Sequence, residues 1–291
     1  MDNTTLRTTP YEAAFADTAY EAEVFPAIEA DARAHGSDPL ALDAFAMLPA
    51  TSEAVRSFVP PEAPAEALEQ YRALLYHGFN YWRADYPTYL VHPAVARFLV
   101  ESQPGMQGWD LVVPDSSVYV QLPHNLFWGS VSPEVTPEPI DGFFVTAAPE
   151  EAATGPAFLR LEVLLVLGLR RDRAGFSVIP FQTEAGPGIA SIWAEGNSRD
   201  EGSDFENILP GGEISGLYSV LTVGEVLKLL GRIFWYIDRF PAAVSVSTTS
   251  APAEEVSSPG APPTSSRLPF HLVSLDADDA NDTDVAGGSV S

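Results

Sequence analysis

Cysteine is absent from all 291 residues. That removes disulfides, thiol nucleophiles, iron–sulfur ligation and cysteine-bound zinc together. Positive charge is scarce: 15 Lys plus Arg face 40 Asp plus Glu, for a formal net charge of −25. Bare nucleic acid and anionic lipid are repelled by such a surface, so direct nucleic-acid binding is not expected, whereas a basic protein partner is compatible with it. Lysine is nearly missing. Lys228 stands alone and follows no glycine-rich run, which excludes a Gly-Lys-Ser/Thr phosphate loop. Long hydrophobic runs are missing too. Met1 to Pro10 is polar with no apolar core, and the longest apolar stretch near the C-terminus is broken by Glu225, Lys228 and Arg232. These features predict a cytoplasmic protein with neither a secretory signal nor a membrane span.

What is present is enough apolar material to fold unaided: 46% hydrophobic and 11% aromatic residues. Residues 71–144 form the aromatic centre, from Tyr71 and Trp82 to Phe143 and Phe144, and also contain His77, His92 and His124. Large rings contribute most burial per residue, so this block is expected to lie in the core.

The predicted fold is α+β: N-terminal helices, an antiparallel sheet of five to seven strands, a covering C-terminal helix and a disordered tail. Residues 1–240 read as one domain, mainly helical over 1–108 and mainly β over 109–195. Tyr11 to Ala34 is Ala- and Glu-rich, is divided or kinked at Pro26 and stops before His35-Gly36. Asp38 and Ser52 are candidate caps for two further short helices. From Pro64 to Ala84, Leu68, Tyr71, Leu75, Phe79 and Trp82 recur at helical spacing, widened by Leu74, Gly78 and Tyr81, and predict a core helix. Gly78 on its buried side suggests close approach by another backbone, and His77 falls by phase on the polar side with Gln70 and Asn80. Pro93 to Glu101 reads as a short helix with Val95, Phe98 and Leu99 inward.

Short β-rich runs follow from Trp109: Asp110–Val113, Val118–Leu122, Leu126–Val131, Phe143–Thr146, Leu159–Leu169, Phe176–Phe181 and Ile189–Trp193, divided by turn residues. Their close spacing favours antiparallel meanders. The wholly apolar Leu164 to Leu167 predicts a central strand covered on both faces, and Pro180 marks the return strand as an edge or a bulge. Residues 222–240 read as a second long helix. Residues 241–291 are an acidic, Ser- and Pro-rich tail, read as disordered except for an apolar motif at 268–275 that includes Phe270 and Leu272. Such a motif suits either a strand docking on its own sheet or a contact with another protein.

No motif ties the chain to a reaction, and neither a cofactor nor a metal is implied. No histidine pair has the spacing of a helical metal site. The catalytic candidates are His124, in the Pro123-His124-Asn125 turn, with Asp85 as its carboxylate partner and Arg83 as an anion-binding group; a histidine beside a carboxylate can serve as a general base. Asp115-Ser116-Ser117 reads as a turn, and Gly212 to Gly216 lacks the spacing of a nucleophile elbow. The partner-binding candidates lie on the 222–240 helix. Trp235 falls among Lys228, Arg232 and Arg239 on the side opposite the apolar face, and Trp and Arg are the commonest anchors of protein interfaces. That stripe also suits packing against the acidic N-terminal helices. The leading functional reading is an acidic protein-binding or accessory module that engages a partner through this helix and the tail motif. An enzyme using His/Asp acid–base chemistry on a small molecule or peptide, and an acidic mimic of nucleic acid, are the alternatives.

Overall fold

The structure, a computed structural model, describes residues 6–101, 106, 109–123, 126–129, 136–150, 158–169, 175–185, 218–247 and 268–275. Among these, seven α-helices and an eight-stranded sheet make an α+β fold. The expected strand at Ile189–Trp193 and the Gly212–Gly216 loop lie outside the described residues.

The N-terminal helices begin where the sequence supplies a start. α1 (Pro10–Ala14) opens with a capping box in which the Thr9 side chain accepts from the Glu12 backbone N–H while Thr9 N donates to the Glu12 carboxylate. A π-helical turn, Tyr20–Val24, leads into α2 (Phe25–His35), with Pro26 in its first turn. Gly36, at φ 63, ends α2 in a left-handed conformation that costs glycine nothing. α3 (Leu42–Met47) and α4 (Pro49–Phe58) start from Ala41 and Leu48, not from the expected caps. Asp38 instead accepts a turn bond from Leu40 N, and Ser52 lies inside α4.

α5 (Ala65–Arg83) is the central helix. Its residues 75–81 are all buried, because the N-terminal helices cover one side and the sheet covers the other. His77, expected on a solvated face, is therefore inside. A periodicity that identifies one buried stripe misplaces a residue when both sides of the helix are covered.

The strands are β1 (Thr88–Val91), β2 (Ser117–Gln121), β3 (Trp128–Gly129), β4 (Glu138–Glu150), β5 (Phe158–Leu167), β6 (Ser177–Ala185), β7 (Val244–Ser247) and β8 (Phe270–Val273). Their order is β6-β5-β4-β2-β1-β8-β7, with β3 paired to β4. β4, β5 and β6 form the expected antiparallel meander, β5 is central to it, and β6, with Pro180, is an edge. The sheet is nevertheless mixed. β1 pairs parallel with both β2 and β8, and α6 (Pro93–Glu101) lies in the crossover from β1 to β2. β1 is four residues of wholly buried Thr-Tyr-Leu-Val, too short to display a period. Residues 110–113, expected as a strand, form none.

Alternation along the strands builds two cores. Phe143, Val145, Val163 and Leu165 face α6 and the last helix, α7 (Tyr218–Arg239), while Tyr119, Phe144, Leu164 and Val166 face α5 and the N-terminal helices. The result is three layers with the sheet in the middle. Beyond Phe240 the chain does not leave this body at once. A 3-10 turn (Pro241–Ala243) leads into β7, and the apolar motif returns as β8, inserted between β1 and β7. The 268–275 motif therefore docks on its own sheet, with Phe270 packed among Leu6, Leu90 and Leu272.

Candidate functional site

The face built by α7 combines the exposed and charged groups that the sequence singled out. Val226, Leu229, Leu230, Ile233, Phe234 and Tyr236 are buried against the sheet and α6, as an amphipathic helix requires. The polar side is less uniform than its period implies. Arg232 is 4% exposed; its Nη1 donates to the carbonyl of Leu99 at 2.8 Å and also reaches Val100 at 3.5 Å. These are last-turn carbonyls of α6, which a cation satisfies both as a donor and against the helix dipole. Burial lowers the Arg232 pKa, and the Glu225 carboxylate opposes that shift. Glu225 is itself buried and pairs with Lys228 at 3.1 Å. The expected basic stripe is thus corrected: Arg232 is an internal tie between α7 and α6, and Lys228 is turned onto Glu225. The described apolar side chains of α7 pack with α6 on one face of the sheet, and those of the acidic N-terminal helices pack on the other.

Among residues 225–239, what remains accessible is concentrated at the C-terminal end of α7. Trp235 is only partly buried and meets Phe240 edge-on, ring centroids 5.8 Å apart. Arg239 is exposed. Asp238 accepts from Trp109 Nε1 at 2.8 Å, fixing the 109–116 segment beside the helix. Phe240 and Val244 pack, partly buried, against the same core as Trp235.

The catalytic candidates do not form a described cluster. His124 lies outside the described residues. Arg83 pairs with Glu29 at 3.4 Å and with Asp38 at 3.5 Å, so its charge is directed to α2 and the following turn. Asp85 is exposed and left-handed at φ 64, followed by Tyr86 at φ 61. Pro123, the described neighbour of His124, follows the C-terminal end of β2, whereas Arg83 and Asp85 precede the N-terminal end of β1. Since Thr88 pairs with Tyr119 in these parallel strands, Pro123 lies roughly 13 Å further along, at about 3.3 Å per residue.

Two polar clusters escaped the sequence reading. Arg7 bonds Asp141 at 2.7 Å through Nη2, and the same nitrogen donates to the Leu122 carbonyl at 2.9 Å. Tyr119 donates to the same carboxylate, and Gln121 exchanges bonds with the Arg7 backbone. Burial, with Asp141 beside it, pushes the Tyr119 hydroxyl well above its ordinary range. The second cluster stacks His271 of β8 on Tyr89 of β1, centroids 4.7 Å apart at 16°. Burial and the Asp115 carboxylate push Tyr89 up to about 12; burial also raises Asp115, against the opposing pull of His271. Residues 89, 115 and 271 share no local pattern, so only the strand order brings them together. Among the described residues no group of three or more His, Cys, Asp or Glu could hold a metal ion, and no helix is long and apolar enough to cross a membrane.

No family model matches the sequence, and no curated protein matches it. Among solved structures, the crystal structure of AcrVA2 matches with a TM-score of 0.47 and 15% identity, covering 95% of this chain and 84% of that one. At that distance the likeness carries no functional inference.

Proposed function

We propose that this protein is an acidic protein-binding or accessory module, and that it engages a basic partner through the C-terminal end of α7. The observation that carries the reading is Trp235. Where the neighbouring Phe234 and Tyr236 fill the core, it stays partly open beside the exposed Arg239 and the half-buried Phe240. Partly exposed Trp and Arg are the residues whose truncation most often weakens a protein interface. The net charge of −25 favours a basic partner and speeds encounter with it. Arg232 takes no part, because its guanidinium is committed to α6. Phe270 and Leu272 contribute indirectly, by holding the end of the sheet together as β8.

The test is capture from the native source with identification by mass spectrometry, comparing the natural protein with Trp235→Ala/Arg239→Ala. The reading predicts a defined basic protein whose recovery falls at least tenfold with the double variant while the melting temperature holds. Equal recovery rejects it.

A further inference from the structure

The two ends of the sheet are built differently. β6 carries Pro180 in its middle and Gln182 and Glu184 beyond it, and a proline without an N–H interrupts any ladder added outside. β7 is Val-Ser-Val-Ser, with no proline and no charge, and among the described residues no strand lies beyond it. Val246 is 66% exposed.

The hydrogen-bond phase of β7 can be read from its partner. Ser274 N donates to the Ala243 carbonyl at 3.0 Å, and the antiparallel register then runs Val244 to Val273, Ser245 to Leu272 and Val246 to His271. Bonded and non-bonded pairs alternate in an antiparallel ladder. Ala243, Ser245 and Ser247 therefore face β8, and Val244 and Val246 present their backbone groups to the outside. The carbonyl of Val273 confirms the phase, because it accepts from His92 N on the β1 side. Val244 N is used by the preceding turn, where it donates to the Pro241 carbonyl. The Val246 peptide groups and the Val244 carbonyl are thus the edge's outward docking groups.

We propose that β7 is a strand-addition site that takes an extended, Lys- or Arg-bearing segment of a partner protein. The added segment would extend the sheet past β7 through the outward Val246 peptide, with a β-branched side chain packed on Val246. Charge selects the occupant. A second copy brings a further −25, and residues 276–291 of this chain carry five carboxylates and no basic residue, so both are repelled where a basic segment is attracted. Residues 248–267 contain Pro252, Pro259, Pro262 and Pro263 and so make a poor strand. The proposal rests on the α7 reading and gives that face, which runs from Trp235 through Phe240 into β7, its mode of recognition.

The test uses the full chain and a fluorescein-labelled peptide of Lys-Val-Thr-Val repeated twice, read by fluorescence anisotropy. Val246→Pro deletes the outward N–H and leaves the bonds to β8 intact, so affinity should fall at least tenfold. Val246→Thr, which keeps the N–H, should stay within threefold. A peptide with Glu in place of Lys should bind at least tenfold more weakly. Should Val246→Pro not fold, the natural protein is titrated with the peptide N-methylated at alternate residues, which should also lose at least tenfold. Unchanged affinity for Val246→Pro or for the methylated peptide overturns strand addition, and equal binding of the Glu peptide overturns the charge selection. A dimer seen by light scattering and dissolved by Val246→Pro would make the occupant a second copy. Binding that appears only after removal of residues 276–291 would make it the chain's own end; either result overturns the proposal. Failure here is separable from failure of the α7 reading: loss of the captured partner with Trp235→Ala/Arg239→Ala, alongside unchanged peptide binding by Val246→Pro, leaves the face standing and removes the strand.

Discussion

His77 Nδ1 and Thr146 Oγ1 share a hydrogen bond of 3.1 Å at the buried junction of α5 and β4. Thr146 Oγ1 lies 3.1 Å from Ser117 Oγ as well, and the imidazole stacks over Phe144 with centroids 6.1 Å apart. Burial disfavours the charged ring and pushes the His77 imidazole down to about 3. In the unfolded chain it titrates near 6.5, so the unfolded state binds a proton that the native state refuses. The stabilisation is present in full above about pH 6.5 and is lost progressively as pH falls toward 3. At the low end the loss is on the order of 5 kcal/mol. Urea unfolding of the natural protein and His77→Gln at pH 7 and pH 4.5 measures it. The difference between the two proteins should shrink at the lower pH; a constant difference would show that His77 does not titrate on unfolding.

Gly78 is held by the Phe15 ring, not by a second backbone. A Cβ built on Gly78 collides with that ring and stands only 2.7 Å from Cδ2. Phe15 cannot yield easily, since Tyr11, Tyr20 and Phe25 surround it at centroid distances of 5.9, 5.3 and 5.3 Å. Gly78→Ala gains about 1 kcal/mol of helix propensity. Overpacking outweighs that by about 1–2 kcal/mol. Chemical denaturation should show net destabilisation, and Phe15→Leu in the same chain should recover part of it. A more stable Gly78→Ala would mean that the ring moves freely.

Arg7 ties the N-terminal segment to the middle of the sheet through a carboxylate that is almost wholly buried. Arg7→Ala leaves Asp141 with Tyr119 as its remaining named side-chain partner and should cost about 2 kcal/mol, less than a fully buried pair because Arg7 is partly solvated. Asp141→Asn on that background should restore stability by removing the unpaired charge. Thermal unfolding of the natural protein and both variants checks this, and a neutral Arg7→Ala would reject it.

Truncation after Ser247 removes β8, the strand that joins β7 to the rest of the sheet. Leu6, Leu90 and Val273's neighbours in the core would then meet water, and β7 would lose its described ladder. The shortened chain should unfold at a clearly lower temperature or fail to fold cooperatively, as read by circular dichroism and calorimetry. A melting temperature equal to that of the full chain would show that the strand contributes nothing.

Much of the architecture was legible locally. The spacing from Leu68 to Trp82 located α5, Pro93 and the apolar Val95 and Leu99 located α6, and the run Leu164 to Leu167 identified a strand covered on both faces. These signals are contained in a few turns of chain, where apolar period and proline placement act directly. The site was less legible. Trp235 and Arg239 remained accessible where helical phase put them, but Arg232, on the same side, is drawn inward by the open carbonyls of α6 about 130 residues earlier, a partner that no helical wheel includes.

Composition and local period are enough to specify an acidic, cysteine-free α+β chain with apolar matter for a core, its long helices and its meander. Packing between distant segments set which faces were covered twice, which put His77 inside; which strands ran parallel, which joined Tyr89 to His271; and where the 268–275 motif went, which left β7 at the edge. The physical reason is common to all three. Periodicity reports how a segment divides apolar from polar, whereas burial on a second face, strand order and edge exposure are set by contacts between segments far apart in the chain.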